Sequence, residues 1–210
     1  MSKLSNAEVQ ELLRRSGVPM LKSAAVAVVA SPEDKSITQK PKNPAANKQS
    51  TFLSDEIVSL LSQQVGNESF AAYSYFGGAA WFGKRGLDGF KKMCETQAMD
   101  EIGHARKVFN HLVDANAPLT LPPIVAPFME YQDVKEVCSA ILDHEKSVTK
   151  SWRAIGDKAL EDKDMATMSL AQWFITEQIE EENKASALYD RVKMAKDAGI
   201  LIIDSDLKKG

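Results

Sequence analysis

From Phe52 onward, apolar residues recur at alternating steps of three and four, the spacing that lines one face of an α-helix. Four such stripes follow one another. The first covers about Ser54 to Phe82, with Ser54 as N-cap and with Gly83 and Gly86 marking its end. The second covers about Leu87 to Ala115, and the third about Asp133 to Leu160. After an acidic turn around Glu161–Asp164, the fourth covers about Met165 to Lys196. Helices of about 28 residues are roughly 40 Å long at 1.5 Å per residue. The loop between the second and third carries Pro118, Pro122, Pro123 and Pro127. It is long enough to travel the length of a bundle, which makes those two helices parallel. The expectation is an all-α four-helix bundle with one long crossover. The apolar tail Gly199 to Ile203 ends either as a short fifth helix or as an extended segment.

Residues 1–50 do not share this pattern. A short helix is expected over residues 4–15, with Ser5 as N-cap and Glu8 completing a capping box. From Ser31 to Ser50 the chain turns polar and carries Pro32, Pro41 and Pro44, the composition of a linker or a surface tail. The division expected is an extension over residues 1–50 and a helical domain over 51–210.

Charge changes the picture little. The formal net charge is −3, split between a basic first 50 residues and an acidic remainder. No large basic surface points to nucleic acid. Cys94 and Cys138 lie inside predicted helices and form no spaced framework, so buried reduced thiols are expected. No apolar run approaches the roughly 20 residues that span a bilayer. Glu8 and Glu11 stand where a targeting peptide lacks acid. A cytoplasmic location is expected, with an address in the first fifty residues left open.

The chemistry lies in what interrupts the stripes. The inward positions run Ile57, Leu61, Gln64, Glu68, Ala72, Tyr75 in the first helix and Cys94, Gln97, Glu101, His104, Val108 in the second. They run Ile141, Glu145, Val148, Trp152 in the third and Phe174, Gln178, Glu181, Ala185 in the fourth. Each helix therefore carries a carboxylate about halfway along its apolar face, and in a bundle those midpoints share a layer. Four such acids in an apolar core repel one another and are costly to ionise. A single one would be an edge residue reaching for water. Four in register, with one histidine, call for cations. Oxygen donors with one imidazole suit iron, with zinc or manganese as competitors. Glu101 and His104, three residues apart, project the same way.

These residues resemble those of the non-haem ferritins over about Phe52 to Leu207. The strings that carry the resemblance are QVGNESFAAYSY at 64–75, DEIGHARK at 100–107, HEKSVT at 144–149 and QWFITEQIEEE at 172–182, with the ending GILIIDSDLKK at 199–209. The resemblance implies a ferritin-like bundle whose first iron site is Glu68, Glu101 and His104. The second would be Glu101, Glu145 and either Gln178 or Glu181. Tyr75 matches a tyrosine kept beside such sites, and Trp173 is either packing or a nearby redox-active aromatic. By the same resemblance, Asp100, Glu177 and Glu180 would join Glu181 in a third iron site towards an inner cavity. The implied activity is oxidation of Fe(II) by dioxygen (a ferroxidase), followed by ferric storage in a 24-subunit shell.

The departures narrow the reading. Helix four lacks a second Glu-x-x-His, and no Cys-x-x-Cys is present, which separates the chain from rubrerythrins. Ile102 stands where a bacterioferritin places its haem-ligating methionine, so no haem is expected. Met168 and Ala171 replace the acids that line animal ferritin pores, leaving Glu161, Asp162 or Asp164 as candidates for iron passage. Two competing readings are a structural cage subunit without oxidation chemistry and a DNA-protecting miniferritin using its basic extension.

Overall fold

The computed structural model describes residues 51–209. The helix expected over residues 4–15, with Ser5 and Glu8, and the polar stretch after it lie outside the described residues. Ser54 does start the first helix, α1 (Asp55–Gly83), its hydroxyl accepting the Ile57 N–H at 3.2 Å. A turn in which Gly86 takes a left-handed φ of 71° leads to α2 (Asp88–Asp114). Asp133 caps α3 (Val134–Glu161) by accepting the Glu136 N–H at 2.8 Å. Asp164 caps α4 (Met165–Met194) by accepting from Ala166 and Thr167. Each predicted helix is found within about two residues of its expected ends. The tail is helical: α5 (Asp197–Lys209) buries Ile203 against the bundle.

Pairwise contacts fix the topology. Along α1, Glu68, Tyr75 and Gly78 meet Trp152, Glu145 and Val137 of α3 in that order, so the two helices are antiparallel. Gly78 also faces Cys94, and Glu68 lies by Glu101, so α1 and α2 are antiparallel too. Helices α2 and α3 are therefore parallel, as the crossover required. That crossover runs along α1, passing Gly66 with Pro122 and Gly77 with Met129. It ends where the Trp81 indole donates to the Tyr131 carbonyl at 3.0 Å. At Gly66 a Cβ would lie 2.4 Å from Cγ of Pro122, so only glycine lets the loop seat there.

Leu87 supplies no side-chain cap for α2. Asp204 of α5 does so instead, accepting the Gly89 and Phe90 N–H groups at 2.8 and 3.0 Å. Gly89 is again a close approach, since a Cβ there would meet the Asp204 carbonyl.

The interior is two apolar clusters. One gathers Ile57, Leu61, Leu112, Trp152, Ile155 and Phe174; the other gathers Phe82, Phe90, Cys94, Val137 and Ile203. Between them lie the buried polar residues Gln64, Glu68, Glu101, Glu145, Gln178 and Glu181. No helix among the described residues is long and apolar enough to cross a membrane.

Candidate metal centre

The polar layer forms because each helix presents its acid at the same height. Glu68, Glu101 and Glu145 are each no more than 3% exposed, and Glu181 is also buried. Glu68, Glu101 and His104 converge, one donor atom from each lying within 4.8 Å of the others. His104 Nδ1 is 3.1 Å from Glu101 Oε2, the pairing that the three-residue spacing predicts. Its ring packs edge-on against Trp173 and Phe174, at 5.9 and 5.4 Å between centroids.

Glu145 sits across the layer. Its Oε1 accepts the Tyr75 hydroxyl at 2.6 Å, and its Oε2 accepts the Gln178 amide at 3.1 Å. The same amide lies 3.2 Å from the Glu145 carbonyl oxygen. Glu181 is engaged elsewhere: Gln97 donates to its Oε2 at 2.6 Å, and Lys184 pairs with its Oε1 at 2.9 Å. Of the two helix-four candidates, Gln178 thus contacts Glu145, while Glu181 faces α2.

The structure does not draw Asp100, Glu177 and Glu180 into the compact donor group. Asp100 and Glu180 are exposed and Glu177 is half-buried. Lys184 lies 4.0 Å from Glu180, so a cation already stands beside these acids. The acids named for iron passage also hold the fold: Asp162 accepts from Ser54 and pairs with Lys158, Glu161 pairs with Lys158, and Asp164 caps α4.

The electrostatics of this layer favour a bound cation. Burial pushes the Glu68 carboxyl well above the usual carboxylate range, and Glu101 opposite adds to it. Burial, followed by the Glu145 charge, pushes Glu101 up to about 8. Glu145 is raised by burial despite its hydrogen bonds from Tyr75 and Gln178. The Tyr75 phenol is raised as well, by burial and then by Glu145, so it stays a donor. Without a cation the raised carboxyls of Glu68 and Glu101, facing each other, favour their protonated forms. Glu68 Oε2 is enclosed and has no hydrogen-bond partner. An ion at that point would give it a partner. The donor set fits a divalent metal.

Two contributors were not assigned a role by the sequence reading. The Trp152 indole and the Gln64 amide both donate to Glu68 Oε1 at 2.9 Å. Both stand on the inward stripes, Trp152 seven residues after Glu145 and Gln64 four before Glu68. Their signal was a donor side chain one or two turns from an inward acid.

Comparison with known proteins agrees with this fold. Residues 58–195 match the family described as the ferritin-like domain. A probable bacterial non-heme ferritin-like protein of Haemophilus influenzae is 32% identical over 158 residues, covering 74% of this chain and 96% of that protein. A bacterial non-heme ferritin of Staphylococcus epidermidis is 35% identical over 132 residues, covering 63% of this chain and 80% of its own. Among solved structures, an open-pore ferritin from Archaeoglobus fulgidus superposes with a TM-score of 0.72 at 29% identity, covering 74% of this chain and 97% of its own.

Proposed function

The chain belongs to the ferritin-like family, and from that premise we propose that it stores iron and oxidises Fe(II) with dioxygen at a paired site inside the bundle. The observation that carries this reading is the convergence of Glu68, Glu101 and His104 between two apolar clusters. Fe(II) is the substrate here. The first ion takes Glu68, Glu101 and His104. The second takes Glu101, Glu145 and a helix-four donor, for which Gln178 is better placed than Glu181 by its contact with Glu145.

The chemistry follows from charge. Fe(II) displaces the protons that the metal-free carboxyls hold, and the acids then favour the harder Fe(III) over Fe(II). Two ions side by side each give up one electron, so two electrons reach one dioxygen together. The Tyr75 hydroxyl keeps Glu145 turned to the site. Asp100, Glu177 and Glu180 are proposed as a third, outer iron position beside Glu181, where Fe(III) displaces Lys184 on its way to storage. The shell of 24 copies, the cytoplasmic location and the role of residues 1–50 as an extension to the domain belong to the same proposal.

The test is aerobic oxidation of Fe(II) by the wild type and by Glu101→Ala, each first checked for helical content and assembly size. The wild type should show a fast ferric phase that the variant lacks. An equal fast phase in both would defeat the buried-site mechanism, and a slow wild type would favour a structural cage subunit.

A further inference from the structure

We infer that Trp152 and Gln64 are positioning residues that make Glu68 a one-oxygen metal ligand. The inference rests on the metal-binding reading above and concerns how the first ion is held. Glu68 Oε1 accepts two N–H donors, Trp152 Nε1 from α3 and Gln64 Nε2 from α1, each at 2.9 Å. The indole donor cannot be reversed. An indole nitrogen only donates. The Gln64 amide is oriented at its other end, where its oxygen accepts from Asn67 Nδ2 at 3.0 Å. Trp152 is fully buried and stacks on Phe174 with centroids 3.8 Å apart and planes 8° from parallel, so its N–H has no room to swing away.

A carboxylate that chelates an ion needs lone pairs on both oxygens turned towards it. With two donors on Oε1, the oxygen left for the metal is Oε2, enclosed and without a hydrogen-bond partner. Glu68 then uses one coordination position instead of two, leaving the other open to an exchangeable ligand such as dioxygen. The same clamp disfavours Ca²⁺, which takes six to eight oxygens and readily accepts chelating carboxylates.

The test uses Co²⁺ alone as a visible probe of the full chain. Trp152→Phe keeps the ring stacked on Phe174 and removes the N–H; Gln64→Met keeps chain length and removes the amide. Each variant should keep wild-type helical content and assembly size. Each should bind the first Co²⁺ about ten- to hundredfold more weakly, as loss of such supporting partners commonly does. The intensity of the visible Co²⁺ bands should also change as Glu68 becomes free to chelate, a response that loss of packing alone would not give. Wild-type affinity and wild-type bands in both variants would overturn the inference while leaving the metal site standing. If Trp152→Phe fails to fold, Gln64→Met decides alone. A wild type that takes up no Co²⁺ would instead sink the metal reading and this inference with it.

Discussion

The Tyr75 hydroxyl donates to Glu145 Oε1 at 2.6 Å, joining α1 to α3 at the level of the buried acids. Removing it with Tyr75→Phe leaves Glu145 with Gln178 as its remaining side-chain donor. Oxidation of Fe(II) should slow on the order of ten- to hundredfold, the usual effect of losing a partner that orients a ligand. Stability should fall by about 1–3 kcal/mol, because the ring still packs but Glu145 Oε1 loses its buried donor. Stopped-flow absorbance of the ferric product, paired with denaturant melts, checks both. An unchanged rate would assign Tyr75 to packing alone.

Metal-free protein should lose stability as pH rises from about 6.5 to 8. Glu101 is raised from 4.5 to about 8, and Glu68 and Glu145 are raised in the same direction. Between those limits the folded chain holds more protons than the unfolded one, so the contribution present at low pH is lost as pH climbs through the folded value. Burial lowers His144 from 6.5 to about 4, which opposes this at lower pH and leaves the upper window to the acids. Loading with Zn²⁺ displaces those protons and should flatten the slope. Thermal melts of stripped and Zn²⁺-loaded protein at pH 6.5 and 8 decide it. A stripped protein that melts higher at pH 8 would contradict the assignment.

Two glycines on the bundle should respond to alanine with opposite signs. Gly66→Ala puts a Cβ 2.4 Å from the Pro122 ring and must lift the crossover off α1. Gly103 on α2 has nothing within 4 Å of a Cβ, so Gly103→Ala should stabilise by roughly 0.5–1 kcal/mol through helix propensity. Denaturant midpoints of the two variants provide the comparison, and a Gly66→Ala as stable as the wild type would show that the loop can shift freely.

Much of this is legible in the sequence itself. The Ser54 cap, the stripes and the height of Glu68, Glu101, His104 and Glu145 follow from periods of three and four. Local spacing cannot tell which of two inward neighbours on α4 contacts which helix. Gln178 and Glu181 both face inward, and only the packing of α3 and α2 separates their partners. Pairings between distant residues were invisible for the same reason: nothing near Glu68 announces Trp152, and nothing near Leu87 announces Asp204. The tail was readable as apolar, with a short fifth helix as one of two outcomes; the choice rests on its seat on α2 more than on its own short sequence.

Asp204→Ala should cost about 1–2 kcal/mol, as a lost N-terminal cap does, although the residue lies on a different helix from the one it caps. Hydrogen exchange should locate the effect at Gly89 and Phe90, while the fast ferric phase persists. Protection unchanged at those two amides would mean the first turn of α2 finds another acceptor.

Because that cap comes from 115 residues downstream of the amide it serves, the chain cannot finish its second helix in the order in which it is synthesised. When α1 and α2 have left the ribosome, the N–H groups of Gly89 and Phe90 still lack their acceptor. They keep lacking it until α5 has followed. Docking of α5 therefore completes α2, and a chain cut before Asp204 carries every acid of the metal layer in a bundle whose second helix lacks that cap at its start.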